Sequence, residues 1–162
     1  MRTQRLLCAV FVMVVLVTAG SAAAQPPPMY GPPISLEQAK KVMAGAEAEA
    51  KKNNWNMVIT ILDSGGNLVM SLRMDGAQFG SVGVAHDKAY SAVAYRRPTK
   101  VFQDAIAQGG VNLRILGLKG ASPVEGGIPL ILDGKLAGAI GVSGGTSQQD
   151  AQVAQAGIDA LK

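Results

Sequence analysis

Cysteine is almost missing from this chain: the one residue, Cys8, lies within the first 24 positions. Beyond them there is no disulfide, no thiolate nucleophile and no Cys-based metal site. Histidine is as scarce, with His86 alone, so a multi-His metal centre is excluded as well. Aromatic residues make up 4% and charged residues 16%. A core this poor in rings must be built from Val, Ile, Leu and Ala. A chain with so few charges is neither an acidic nor a basic disordered tail. At 162 residues it is too short for a TIM barrel and suits one domain.

What is present begins with an export signature. Arg2 and Arg5 form a positive start, and Leu6 to Val17 is an unbroken apolar run of 12 residues. Ala22-Ala23-Ala24 then offers small residues for cleavage, so 1–24 reads as a signal peptide and the mature chain as secreted or periplasmic. The run is too short for a stable membrane span, which takes about 20 residues. Cys8 stands at the start of the run, where it makes a poor lipoprotein anchor. Of the 15 basic residues two lie in this segment, leaving 13 against 11 acidic ones. That balance gives no clustered basic face, and nucleic acid is not an expected partner.

Residues 25–34 read as a proline-rich, extended linker, and 35–162 as the folded domain. Ser35 with Gln38 forms a capping box for a first helix, whose apolar face runs through Leu36, Ala39, Val42, Met43, Ala46 and Ala50. Trp55–Asp63 and Asn67–Arg73 read as strands of a hairpin around Ser64-Gly65-Gly66-Asn67. Val82–Arg96 reads as a helix, and Pro98-Thr99 breaks it. Val101–Gln108 makes a short helix, with Thr99 as its expected N-cap, ending at Gly109-Gly110. A second hairpin, Ile128–Leu132 and Leu136–Val142, turns at Asp133-Gly134, and a last helix covers about Gln148–Leu161 with Thr146 or Ser147 as cap. Hairpins separated by helices imply an α+β domain: an antiparallel sheet flanked by helices, profilin-like or PAS-like.

Gly141-Val142-Ser143-Gly144-Gly145 matches the G-x-S-x-G nucleophile elbow, but no histidine follows Ser143 and the triad order fails. The same turn can meet an anion through backbone N–H groups, although no P-loop lysine follows it. No acid–base pair stands out and no catalytic residue is assigned. His86, on a helix with Val82, Ala89, Tyr90 and Val93, is either a packed histidine or a single axial ligand for a haem iron. Met70, Met74, Tyr90 and Tyr95 are packing residues or walls of such a pocket. Arg73 either pairs with Asp75 or faces a ligand. Arg97, in Arg96-Arg97-Pro98-Thr99-Lys100, can hold a carboxylate bidentately.

Asn53-Asn54-Trp55, Leu62-Asp63, Gly65-Gly66-Asn67-Leu68, Arg73-Met74-Asp75-Gly76-Ala77, Lys88-Ala89, Ala92, Arg97-Pro98-Thr99, Glu125-Gly126-Gly127-Ile128-Pro129, Gly138, Gly141-Val142-Ser143-Gly144 and Asp150 occur in this order. Together they resemble the GlcG/HbpS family of haem-binding proteins, also similar to the C-terminal domain of PduO-type proteins. The resemblance implies a profilin-like fold, homo-oligomers and, for some members, haem binding; some relatives are labelled haem-degrading. It puts Thr99 near iron and matches Arg73, Lys88, Pro98 and Thr99 to family positions, while His86 falls outside the motifs and is the chemically better ligand. The leading expectation is an exported oligomeric haem-binding protein, more a binder than an enzyme. Arg73, Lys88 and Arg97 would hold propionates, with His86 or Thr99 toward the metal. The alternative is a small organic-acid-binding accessory protein or enzyme linked to hydroxy-acid oxidation.

Overall fold

The structure, a computed structural model, describes residues 26–162; the expected signal peptide and Cys8 lie outside them. The element order is α1 (Leu36–Lys52), β1 (Val58–Asp63), β2 (Leu68–Arg73), α2 (Gly80–Tyr95) and α3 (Lys100–Ala107). A 3₁₀ helix (Gly110–Gly117), β3 (Gly127–Leu132), β4 (Lys135–Ser143) and α4 (Ser147–Asp159) complete it. One antiparallel sheet of order β2-β1-β4-β3 carries helices on both faces. The α+β expectation therefore holds. The 3₁₀ helix has no counterpart in the sequence reading. It is eight residues long with only Ile115 buried, and apolar periodicity gives such a segment no signature.

Local chemistry fixes the ends of the elements. Ser35 accepts from the Gln38 N–H, and the Gln38 side chain accepts from the Ser35 N–H. Thr146 and Gln149 repeat the device at α4. At the first hairpin the Asp63 carboxylate accepts from the backbone N–H groups of Gly65 and Asn67, at 2.8 and 2.9 Å. The proline-rich stretch is extended, and its end is docked. Gly31 N–H donates to the Leu136 carbonyl, Leu136 N–H donates to the Met29 carbonyl, Ile34 N–H donates to the Ala137 carbonyl, and Ile34 is buried. The Tyr30 hydroxyl donates to the Val93 carbonyl at 3.1 Å.

The two sheet faces are covered unequally. Under α1 and α4 lies the main core, with Val42, Met43, Met57, Ile59, Ile61, Leu130, Ile140, Val142 and Val153. Each such side chain taken from water stabilises the fold by about 1.5–3 kcal/mol before entropy is counted. On the other face α2 crosses β4, β1 and β3 and leaves β2 largely open. Its inner stripe is made of small residues, Ala85, Ala89 and Ala92, so the helix lies close to the sheet.

That closeness depends on Gly141 in β4. A Cβ there would run into the Ala85 carbonyl oxygen and stand 2.6 Å from the Ala89 nitrogen, both backbone atoms that cannot swing away. Gly141→Ala is expected to lower unfolding free energy by about 3 kcal/mol, the upper range of overpacking. Gly134→Ala meets open space at a left-handed turn position and should cost only about 1 kcal/mol. Urea denaturation of both variants checks this; equal losses would show that α2 tolerates lifting.

Candidate functional site

The open half of the α2 face forms a shallow trough. Directly paired residues of neighbouring strands point to the same side. Val58, Thr60 and Leu62 face α2, so their partners Arg73, Ser71 and Leu68 line β2 on that side. All three are exposed. The facing wall comes from one stripe of α2 and the residue before it. Phe79, Val82, His86 and Tyr90 recur at helical spacing and are exposed, Phe79 to 82%. Both ends of the trough are fixed. The Arg73 guanidinium lies 5.1 Å from the Phe79 ring centroid and donates to the Ala77 carbonyl at 3.0 Å. At the other end the Tyr90 ring rests against Gly66 in the hairpin turn.

The structure distributes the five expected binding residues over three places. Arg73 and His86 border the trough. The Arg73 hydrogen bond goes to the Ala77 carbonyl and not to Asp75, so of the two readings of Arg73 the pair with Asp75 is not the one formed. His86 has 46% of its side chain exposed, with Nδ1 3.7 Å from the Asp87 carboxylate, beyond hydrogen-bond reach. Among the described residues no three His, Cys, Asp or Glu side chains cluster to hold a metal ion. A metal held here would therefore bring most of its own ligands, as haem does.

Lys88 and Thr99 are elsewhere, inside the protein. Lys88 is 1% exposed. Its ammonium donates to Asp150 Oδ2 at 2.6 Å and to the Val142 carbonyl at 2.9 Å. Thr99 is fully buried; its hydroxyl accepts from the Gly127 N–H at 3.0 Å. It does not cap α3, as had been expected, because no side-chain cap bond forms there and the hydroxyl is turned to the start of β3. A Cβ on Gly127 would collide with the Lys88 backbone and the Thr99 side chain, and one on Gly126 with Asp150 and the Val142 carbonyl. Arg97 marks the third place. It is exposed, its Nε donates to the Tyr95 carbonyl at 3.0 Å, and it stands over Phe102 beside a cleft. Ser143 is buried and hydrogen-bonded to Ser81 at 3.1 Å, so its elbow-like motif is turn geometry.

The Lys88–Asp150 pair escaped the sequence reading, which gave Lys88 to a ligand. The signal was there: Lys88 falls on the buried stripe of Ala85 and Ala92, where a lysine needs a partner. Burial pushes the Asp150 carboxyl above its ordinary value of 3.8, against the pull of Lys88 and of the Gly145 and Gly144 N–H groups. Folded Asp150 thus holds its proton more tightly than unfolded Asp150. Its contribution favours the fold at acid pH and fades as the pH rises through the interval just above 3.8. Lys88→Met or Asp150→Leu alone is expected to cost about 3–5 kcal/mol, and the double replacement less than either. Against Asp150→Asn, the stability advantage of the wild type should narrow as the pH is raised across that interval. Denaturant titrations at several pH values test both expectations; a widening gap would reverse the sign.

The chain is similar to known proteins. A protein from Citrobacter freundii, described as an uncharacterized 15.0 kDa protein in the dhaT-dhaS intergenic region, is 40% identical over 129 residues, 78% of this chain and 90% of its own length. Protein GlcG of Escherichia coli K12 is 37% identical over 110 residues, covering 68% of this chain and 81% of that one. Among solved structures, the PduOC:haem complex superposes with a TM-score of 0.73 at 29% identity, over 79% of this chain and 94% of that one. The family described as "Haem degrading protein HbpS-like" matches residues 34–159, and this chain belongs to it.

Proposed function

We propose that the protein binds a haem-type tetrapyrrole in the trough between β2 and α2, with His86 as the side chain presented to the metal. The observation that carries this is the position of His86: a lone imidazole, exposed, in the middle of an apolar stripe with a guanidinium at one end. Phe79, Val82, Tyr90 and Leu68 supply apolar area for a flat macrocycle, and Arg73 supplies charge for a propionate. The donor set fits haem, which needs only one or two protein ligands, and fits no free metal ion. When bound, the haem supplies its own iron chemistry; the chain supplies the wall, the ligand and the charge. The similar PduOC structure is a haem complex and the family is described as haem-degrading, and both support this reading.

The same reading includes export through residues 1–24 and assembly into homo-oligomers. Arg2, Arg5 and the apolar run that follows support export. Exposed Val111, Leu113 and Leu116 on the 3₁₀ helix support assembly, since apolar patches of this kind commonly mark contacts between chains. Among the described residues no helix is long and apolar enough to cross a membrane.

Hemin added to the purified protein is expected to give a shifted, saturable Soret band. His86→Ala should weaken that binding by about tenfold or more, as loss of metal-site partners commonly does. Thr99→Ala should leave the Soret band in place and instead cost about 1–3 kcal/mol of stability, because the Gly127 N–H loses its acceptor. A wild type without a Soret shift would end the haem reading. A shift abolished by Thr99→Ala and kept by His86→Ala would move the ligand into the interior.

A further inference from the structure

A second concave surface lies between α3 and the 3₁₀ helix, apart from the trough. It is a cleft of about 290 Å³ lined by Tyr95, Arg97, Phe102, Arg114, Ile115 and Leu118, among others. Phe102 and Ile115 form a buried floor. The Tyr95 ring meets Phe102 edge-on, with centroids 5.1 Å apart and an interplanar angle of 84°. Its hydroxyl donates to the Lys119 carbonyl at 2.7 Å, which ties the end of α2 to the loop after the 3₁₀ helix. These walls are therefore set before any ligand arrives.

Two arginines line this cleft, Arg97 from the loop after α2 and Arg114 from the 3₁₀ helix, beside the polar Asn112. Arg97 spends its Nε on the Tyr95 carbonyl and stacks 5.7 Å from the Phe102 centroid, which leaves its terminal nitrogens free. Among the described residues neither arginine is ion-paired, and the acid on the adjoining helix, Asp104, is committed to Lys100 at 2.8 Å. Two unpaired forks above an apolar floor match a carboxylate attached to an apolar body. The volume sits at the bottom of the usual range for ligand pockets, about 300–1,000 Å³. That suits a small molecule.

We propose that this cleft is a separate binding site for a small amphipathic carboxylate, its apolar body on Phe102 and Ile115 and its carboxylate between Arg97 and Arg114. The site is independent of the tetrapyrrole reading and shares no residue with the trough.

The test uses 3-phenylpropionate as the probe and 3-phenylpropanamide as its neutral counterpart, followed by calorimetry and saturation-transfer NMR. The wild type should bind the carboxylate in preference to the amide. Arg97→Gln/Arg114→Gln should weaken the carboxylate by about tenfold or more, the loss expected for charge-assisted hydrogen bonds. Arg114→Gln alone should fall between the two. Both arginines are exposed, so the variants should keep the wild-type melting temperature, and hemin titration of the double variant should be unchanged. No binding by the wild type, equal binding of acid and amide, or equal binding by the double variant would each overturn the proposal. So would a double variant that changes its sedimentation mass and keeps its carboxylate affinity, because the cleft would then be a contact between copies of the chain.

Discussion

The buried pair of Lys88 and Asp150 is the contact on which the arrangement of the domain depends. It joins α2 on one face of the sheet to α4 on the other, at the end of β4 where the Val142 carbonyl takes a second hydrogen bond from the same ammonium. Asp150 is in turn held by the Gly145 N–H at 3.0 Å, ahead of the α4 cap. A pair so buried adds little net stability over well-packed apolar residues, since desolvation offsets most of its attraction. What it does add is register. A lysine at this depth has no acceptable position other than against its carboxylate, so α2 and α4 cannot slide along the sheet separately. The matched residues Gly126 and Gly127 follow from this, because the chain must pass beside Lys88 without a side chain.

Unequal covering of the sheet gives the domain its candidate site. Two helices fill one face and α2, with smaller contributions, lies over the other. Three strands are enough for α2 to bury its alanines, and β2 is left over. An edge strand with one open face invites pairing with other chains. Here its exposed face carries Arg73 and Ser71, with Ser71 hydrogen-bonded across to Thr60 at 3.2 Å. The same opening leaves His86 and Phe79 without a covering layer.

Much of this was legible in the residues. The capping box at Ser35, a cap at Thr146 or Ser147, the turn at Asp133-Gly134 and the β-branched run of β1 pointed to the elements and the α+β class. These signals are local, and each is satisfied within a few residues. What stayed hidden depends on contacts between distant positions. Thr99 looks like a helix cap from its neighbours, but its hydroxyl is claimed by Gly127, 28 residues on. Lys88 looks like a ligand-holding cation until Asp150, 62 residues away, is seen beside it. The 3₁₀ helix has too few buried residues to leave a periodic trace. Arg73 and His86 remained together because both lie on surfaces that no later segment covers.

The height of α2 above the sheet links the interior to the trough. Gly141 lets the helix backbone approach β4 at Ala85 and Ala89, and Gly127 does the same at Lys88. Those are successive turns of one helix, so its axis is fixed along most of its length. The outer stripe of Phe79, Val82, His86 and Tyr90 is therefore carried at a set level beside β2. A side chain at either glycine would raise the helix and change how far His86 stands from Ser71 and Leu68. The close packing of the inner stripe and the shape of the outer one are thus a single constraint. This is why small residues repeat on the buried side of a helix whose other side carries the only histidine.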